Sequence, residues 1–154
     1  MNVDTEYDNR GRVKRTSEPY FDNDTIYWNT PTYDDLDRVT AMAAADSVQD
    51  STTSYDGFET VFTDNASHTT TQVQNAVGQV IETEDDAGTK TRFAYNQNGA
   101  RIEVKAAYGT AYEAVMTYTV DKLGRLLTQD DPDHGVYTYT YDALGQKLTE
   151  QSPK

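Results

Sequence analysis

An all-β fold, an antiparallel meander of about seven two-stranded units in a strongly curved or rolled sheet, follows from two features of the sequence. The first is a four-residue turn pattern, Asp/Asn-x-x-Gly. It occurs at Asp8–Gly11, Asn75–Gly78, Asn96–Gly99, Asp121–Gly124 and Asp142–Gly145, with degenerate copies at Asp34–Asp37 and Asp56–Glu59. The leading residues stand at 8, 34, 56, 75, 96, 121 and 142, a spacing regular enough to mark a repeat architecture. The second feature is alternation with period two. In Tyr137-Thr138-Tyr139-Thr140-Tyr141 the rings point to one face of a strand and the hydroxyls to the other.

Each unit can be justified in turn. The leading Asp or Asn caps a type I turn and the Gly takes the positive φ that closes it. Tyr precedes the turn at Tyr7, Tyr33, Tyr55, Tyr95 and Tyr141, with Gln74 and Val120 in the other two copies. An aliphatic residue follows at Val13, Val39, Val61, Val80, Ile102, Leu126 and Leu148. Its offset varies by one, so a bulge is expected beside the turn glycine. A second turn lies midway through most periods, at Asp64–Ser67, Asp85–Gly88, Tyr108-Gly109 and Asp133–Gly135. Turns about every ten residues leave six or seven for each strand, the usual length. Two stretches break the rhythm. Residues 19–31, with Pro19 and Pro31, read as a long edge loop, and Ala106–Tyr112 reads as a short insertion. Ala41–Ala45 is helix-prone but long enough for one turn at most. Residues 1–154 read as a single repeat domain, a fragment of a longer chain or a truncated family member.

Composition narrows the function. Apolar residues make up 36%, and 12 Tyr outnumber 4 Phe, which suits sheet with a wet face better than a thick closed core. With 26 acidic and 13 basic residues the net charge is −13, so the surface repels phosphate backbones and nucleic acid is not an expected partner. No apolar run is long enough for a transmembrane helix, and membrane insertion is not expected. Residues 1–6 lack the basic and apolar regions of a signal peptide. The absence of cysteine excludes disulfides and thiolate metal sites.

Candidate chemistry is sparse. His68 and His134 fall at mid-period turns, where solvated turn residues are the ordinary finding, and no nucleophile–base pattern accompanies them. Asp130, Asp131 and Asp133, and the pair Asp22 and Asp24, could offer oxygens to calcium but lack the ligand alternation of a calcium loop. Turn-forming roles explain them equally well. Tyr27 and Trp28 are the candidate sugar-stacking platform, set against the plainer reading that Trp28 covers a sheet end. Tyr137, Tyr139 and Tyr141 read as a cross-strand ladder. No enzyme and no cofactor are expected.

The repeat, Tyr-Asp-x-x-Gly-Arg/Gln followed by a hydrophobic residue, a Thr-rich strand and a Tyr-x-Tyr return, resembles the YD-repeat or Rhs-repeat family. Tyr7-Asp8-Asn9-Arg10-Gly11-Arg12-Val13 and Tyr141-Asp142-Ala143-Leu144-Gly145-Gln146-Lys147-Leu148 carry the likeness most fully. The family includes toxin-complex and Rhs shell proteins and teneurin-like surface proteins. The resemblance implies a strip of β-hairpins that, in long members, spirals into a hollow shell around a toxic domain or forms part of a surface protein. It further implies a secreted or cell-surface setting, a toxin cargo or the rest of a longer shell as partner, and glycan binding as the alternative role. Exposed sheet edges make self-association a further expectation. Asp131-Pro132-Asp133-His134-Gly135 departs from the self-cleavage motif of such toxins.

Overall fold

The computed structural model describes residues 1–46 and 50–153. They form seven hairpins: β1 (Thr5–Tyr7) with β2 (Val13–Ser17), β3 (Trp28–Tyr33) with β4 (Val39–Ala43), and β5 (Ser51–Asp56) with β6 (Glu59–Thr63). There follow β7 (Thr69–Gln74) with β8 (Val80–Glu84) and β9 (Lys90–Tyr95) with β10 (Arg101–Ala106). The last are β11 (Ala114–Val120) with β12 (Leu126–Asp131) and β13 (Gly135–Tyr141) with β14 (Lys147–Gln151). Strand neighbours follow chain order, so the meander expected from the turn spacing is the one formed. The chain divides into two compact units, Met1–Thr71 and Gln72–Lys154, with the boundary inside β7.

The repeated turn has one construction. In unit 1, the Gly11 N–H donates to the Asp8 carbonyl (3.0 Å) and the Asp8 N–H to the Arg12 carbonyl (2.9 Å). Asp8 Oδ1 then accepts from the backbone N–H of Arg10 (2.9 Å) and Arg12 (3.0 Å). One carboxylate thus satisfies the two donors that the turn leaves unpaired. The same pair of bonds forms at Asp34 and Asp64 in unit 1, and at Asn75, Asp85, Asn96, Asp121 and Asp142 in unit 2.

The variable offset after the turn is absorbed by a bulge. Glu6 faces Arg15 but Tyr7 faces Val13, so Lys14 is the extra residue. Equivalent shifts occur at Thr32/Tyr33, Thr119/Val120 and Thr140/Tyr141. Asp56 is different: it pairs directly with Glu59 across Gly57-Phe58. Positive φ falls on Gly57 and not on Phe58, the two-residue II′ pattern.

Where the closing glycine is replaced, the backbone geometry survives. Asp37 (φ 63°) and Ser67 (φ 68°) occupy the left-handed conformation that Gly holds elsewhere. A residue with a Cβ is strained there by roughly 1–2 kcal/mol. Ser67→Gly is therefore expected to raise stability by about 1 kcal/mol in urea unfolding. No gain would show that Ser67 carries no strain. Asp37 is not an equivalent test, because it also binds Arg10 (2.8 Å) and Arg12 (2.6 Å).

Burial is shallow throughout. Val104, 7% exposed, is the buried hydrophobic residue and Ser17, at 3%, the buried polar one among the described residues. The Ser17 hydroxyl is satisfied by the Asp4 N–H at 2.8 Å. Sheet with both faces half-wet accounts for the low apolar share and the preference for Tyr over Phe.

Two local expectations are corrected. The long loop ends sooner than Pro31: β3 starts at Trp28, and Pro31 sits inside it opposite Met42. β3 pairs with β2 only through Trp28 and Asn29, so Pro31 lies beyond that ladder and its missing N–H costs no bond there. Ala41–Ala43 is extended, as part of β4, and makes no helical turn. Pairing on both sides overrides the helix preference of alanine.

Candidate functional site

The recurring Asp, Arg and Tyr side chains meet where one hairpin adjoins the next. In unit 1, Arg12 Nε donates to Asp8 Oδ2 at 2.7 Å, four residues back across the turn. The guanidinium lies over the ring of Tyr33, the tyrosine of the following repeat, with 4.5 Å to the centroid. The Tyr33 hydroxyl donates to the carbonyl of Val13 at 2.8 Å. Each part locks another: Asp8 orients Arg12, Arg12 covers Tyr33, and Tyr33 closes back on the residue after Arg12.

The next junction repeats the clamp with new residues. Arg38 is held by Asp34 at 2.7 Å and lies 4.1 Å from the Tyr55 centroid, while the Tyr55 hydroxyl reaches the Val39 carbonyl at 2.9 Å. In unit 2, Arg125 is held by Asp121 at 2.6 Å and sits 5.0 Å from the Tyr141 centroid, and it also donates to the Asp142 carbonyl at 3.0 Å. A neutral version occurs at Asn75, whose side chain donates to Gln79 Oε1 at 2.8 Å. There the Tyr95 hydroxyl donates to the Val80 carbonyl (2.8 Å) and Gln79 donates to the carbonyl of Gly99 in the following turn (3.3 Å).

The clamp lowers the affinity of its carboxylates for protons. At Asp34 and Asp121 the backbone N–H of Arg38 or Arg125 acts most strongly, opposed by burial and reinforced by the guanidinium. At Asp64 the same roles fall to His68. At Asp8 burial is the largest influence and pushes upward, but the hydrogen bonds from Arg12 and Arg10 outweigh it. Because these folded-state values lie below the unfolded value of about 3.9, the folded chain binds fewer protons. Their stabilisation is complete above that value and is lost as pH falls through the folded values. Urea midpoints should stay level from neutral pH to about 4.5 and drop steeply below 4. A midpoint at pH 3 equal to that at pH 7 would exclude the carboxylates as contributors.

The remaining candidates are bound up in structure. His68 stands where Arg stands in other turns, with Nδ1 3.2 Å from Asp64, and His134 Nδ1 lies 3.3 Å from Asp131. Asp131 Oδ1 caps its own turn through the N–H groups of Asp133 (2.9 Å) and His134 (3.2 Å). Asp22 accepts from Asn2 and Asp24 from the Phe21 N–H. Among the described residues no group of three or more His, Cys, Asp or Glu side chains is placed to hold a metal ion. Trp28 is a strand residue opposite Ser17, and one ring face is covered by Arg15 at 4.0 Å. Tyr27 borders a groove of about 590 Å³ in unit 1, with Glu18, Asn29 and Met42.

The i,i+4 acidic–basic pairing and the Tyr hydroxyl bond are the functional contacts that sequence reasoning missed. The available signal was the basic residue directly after the closing position, at Arg12, Arg38 and Arg125. No helix among the described residues is long and apolar enough to cross a membrane.

Antiparallel hairpins in strict succession, with an Asp–Arg–Tyr clamp recurring between them, define a β-hairpin repeat fold. Residues 120–154 match the family described as RHS Repeat. No curated protein matches the chain in sequence. Among solved structures it is similar to the Photorhabdus luminescens Tc holotoxin pore, at 21% identity and a TM-score of 0.79, over 96% of this chain and 9% of that one. It is equally similar to the crystal structure of TcdB2-TccC3, at 22% identity and a TM-score of 0.79, again over 96% and 9%. TcdB2-TccC3 without its hypervariable C-terminal region matches at 22% identity, a TM-score of 0.79 and the same shares of the two chains. At such identities the likeness is one of fold. The chain spans about 9% of the length of the solved chains it matches.

Proposed function

We propose that residues 1–154 act as a non-catalytic structural module, one continuous run of YD/Rhs repeats that forms part of a β-shell enclosing or displaying a toxin or surface domain. The observation that carries this reading is the commitment of the recurring polar side chains. Asp8, Arg12 and Tyr33, with their counterparts in other repeats, place their hydrogen bonds in turns and junctions. Groups so engaged are positioned to build a wall and are not free to act on a substrate. The fold likeness to Tc toxin structures supports the shell role. In this reading the protein works outside the cell, and strand pairing joins it to further repeats or to another copy.

The test is protease protection of the native gene product. An enclosed domain is expected to survive digestion when residues 1–154 are intact and to be degraded when they are deleted. Equal degradation of both forms would overturn the shell reading.

A further inference from the structure

In unit 1 three aromatic rings each carry a guanidinium that a carboxylate holds in place. Arg12, bound to Asp8, covers Tyr33; Arg15, bound to Glu6, covers Trp28; and Arg38, bound to Asp34, covers Tyr55. Tyr27 departs from that pattern. It is 57% exposed, and among the described residues no Arg or Lys lies over its ring. A carboxylate is nevertheless beside it. The Glu18 N–H donates to the Tyr27 carbonyl at 2.8 Å, and both side chains line the groove of about 590 Å³.

We propose that this groove binds a small organic cation, an alkylammonium ion with an aliphatic stem. The ligand takes the place over Tyr27 and against Glu18 that an arginine takes at the other rings. This role goes beyond the shell reading and does not rest on it.

The lining carries the assignment. The volume lies within the range of small-molecule sites. Asn29 is spent: its Nδ2 donates to Glu18 Oε1, and its Oδ1 accepts from the Ala45 N–H at 2.9 Å. That pair orients Glu18 through one oxygen, and Oε2 has no partner among the described residues. Met42, Ala44 and Ala45 add apolar surface, and Asp46 adds a second carboxylate. The Ala44 N–H is in turn held by Asp50 at 2.7 Å, which fixes that side of the groove.

Two carboxylates, an open ring face and no basic group among the described lining residues select a cation over an anion. A neutral sugar would leave both carboxylates without a counter-charge. A bare metal ion is excluded by the same lining, since it needs several oxygen ligands and has no use for a thioether and methyl groups. An ammonium on an aliphatic stem uses every part. Glu18 and Tyr27 flank the stretch where the repeat fails, so neither is committed to a turn or a clamp.

Titrating the isotope-labelled 154-residue chain with cadaverine at physiological salt should shift the NMR signals of Tyr27, Met42 and Ala44, with a Kd of about 1 mM. Glu18→Gln keeps the acceptor for Asn29 and removes the charge, and should raise that Kd about three-fold. Tyr27→Leu keeps the bulk and loses the ring, with an effect of about the same size. Tyr27→Phe should bind as the parent does. Glu59→Gln removes one charge from β6, elsewhere in unit 1, and should leave the Kd within about two-fold. Circular dichroism checks that each variant is folded; should Tyr27→Leu fail, Glu18→Gln still decides, because its bond to Asn29 survives.

Four outcomes overturn the proposal. The first is no shift at these residues with cadaverine ten-fold above the expected Kd. The second is equal binding of the uncharged diol of the same length, which would make the groove merely apolar. The third is tighter binding of methyl glucoside, which would return the sugar-stacking reading. The fourth is a loss in Glu59→Gln as large as in Glu18→Gln, which would make the amine a diffuse counter-ion. None of these bears on protease protection, and failure of protection leaves the groove's ligand standing.

Discussion

Replacing Tyr55 by Ala is expected to lower the stability of unit 1 by about 2–3 kcal/mol, below the usual range for a fully buried aromatic because the ring is only half-buried. Two contacts vanish together: the ring under Arg38 and the hydroxyl bond to the Val39 carbonyl. Tyr55→Phe separates them, keeping the ring and removing one hydrogen bond, for a cost of about 1 kcal/mol. Urea unfolding of both variants would measure the division, and hydrogen exchange near Val39 would locate it. Tyr55→Ala within about 0.5 kcal/mol of the parent would show that the junction is decorative, since about 1 kcal/mol is expected from the hydroxyl bond alone.

Gly124→Val is expected to cost at least about 2 kcal/mol, for a reason unrelated to packing. A Cβ at Gly124 meets nothing within 4 Å, so the whole cost is backbone strain at φ +80°. Alanine at this position is expected to cost about 1–2 kcal/mol, valine more because it is β-branched, and asparagine least. The order Asn, Ala, Val is the check. Equal costs for all three would mean that the turn relaxes out of the left-handed conformation. Gly135 is a poor substitute for this test, because a Cβ there also collides with Pro153 at 2.8 Å.

The turns were legible because Asp-x-x-Gly states its backbone conformation outright: a side-chain acceptor at the first position and positive φ at the last. The bulge was legible from the one-residue drift between Tyr and the following aliphatic. What local pattern could not show is anything decided between neighbouring hairpins. Arg12, Arg38 and Arg125 read as ordinary charged residues until the next tyrosine lies beneath them. Trp28 reads as a loop aromatic when Pro31 is counted against a strand, yet β2 stops short of the position where the proline's missing donor would matter. Ala41 to Ala43 follow their neighbours and not their own preference. The histidines give the same lesson from the other side: His68 is a turn partner because it falls four residues after Asp64.

Strand pairing in strict chain order also sets a timetable. Each strand finds its partners among the strands immediately before and after it in the sequence, so among the described residues strand pairing joins only neighbouring segments. Short loops close cheaply, and structures rich in such local contacts form quickly. During synthesis, a hairpin can be complete as soon as its second strand has emerged, and it offers its open clamp to the tyrosine of the next. The strip would then assemble like a zip following the ribosome, each finished tooth guiding the one behind it.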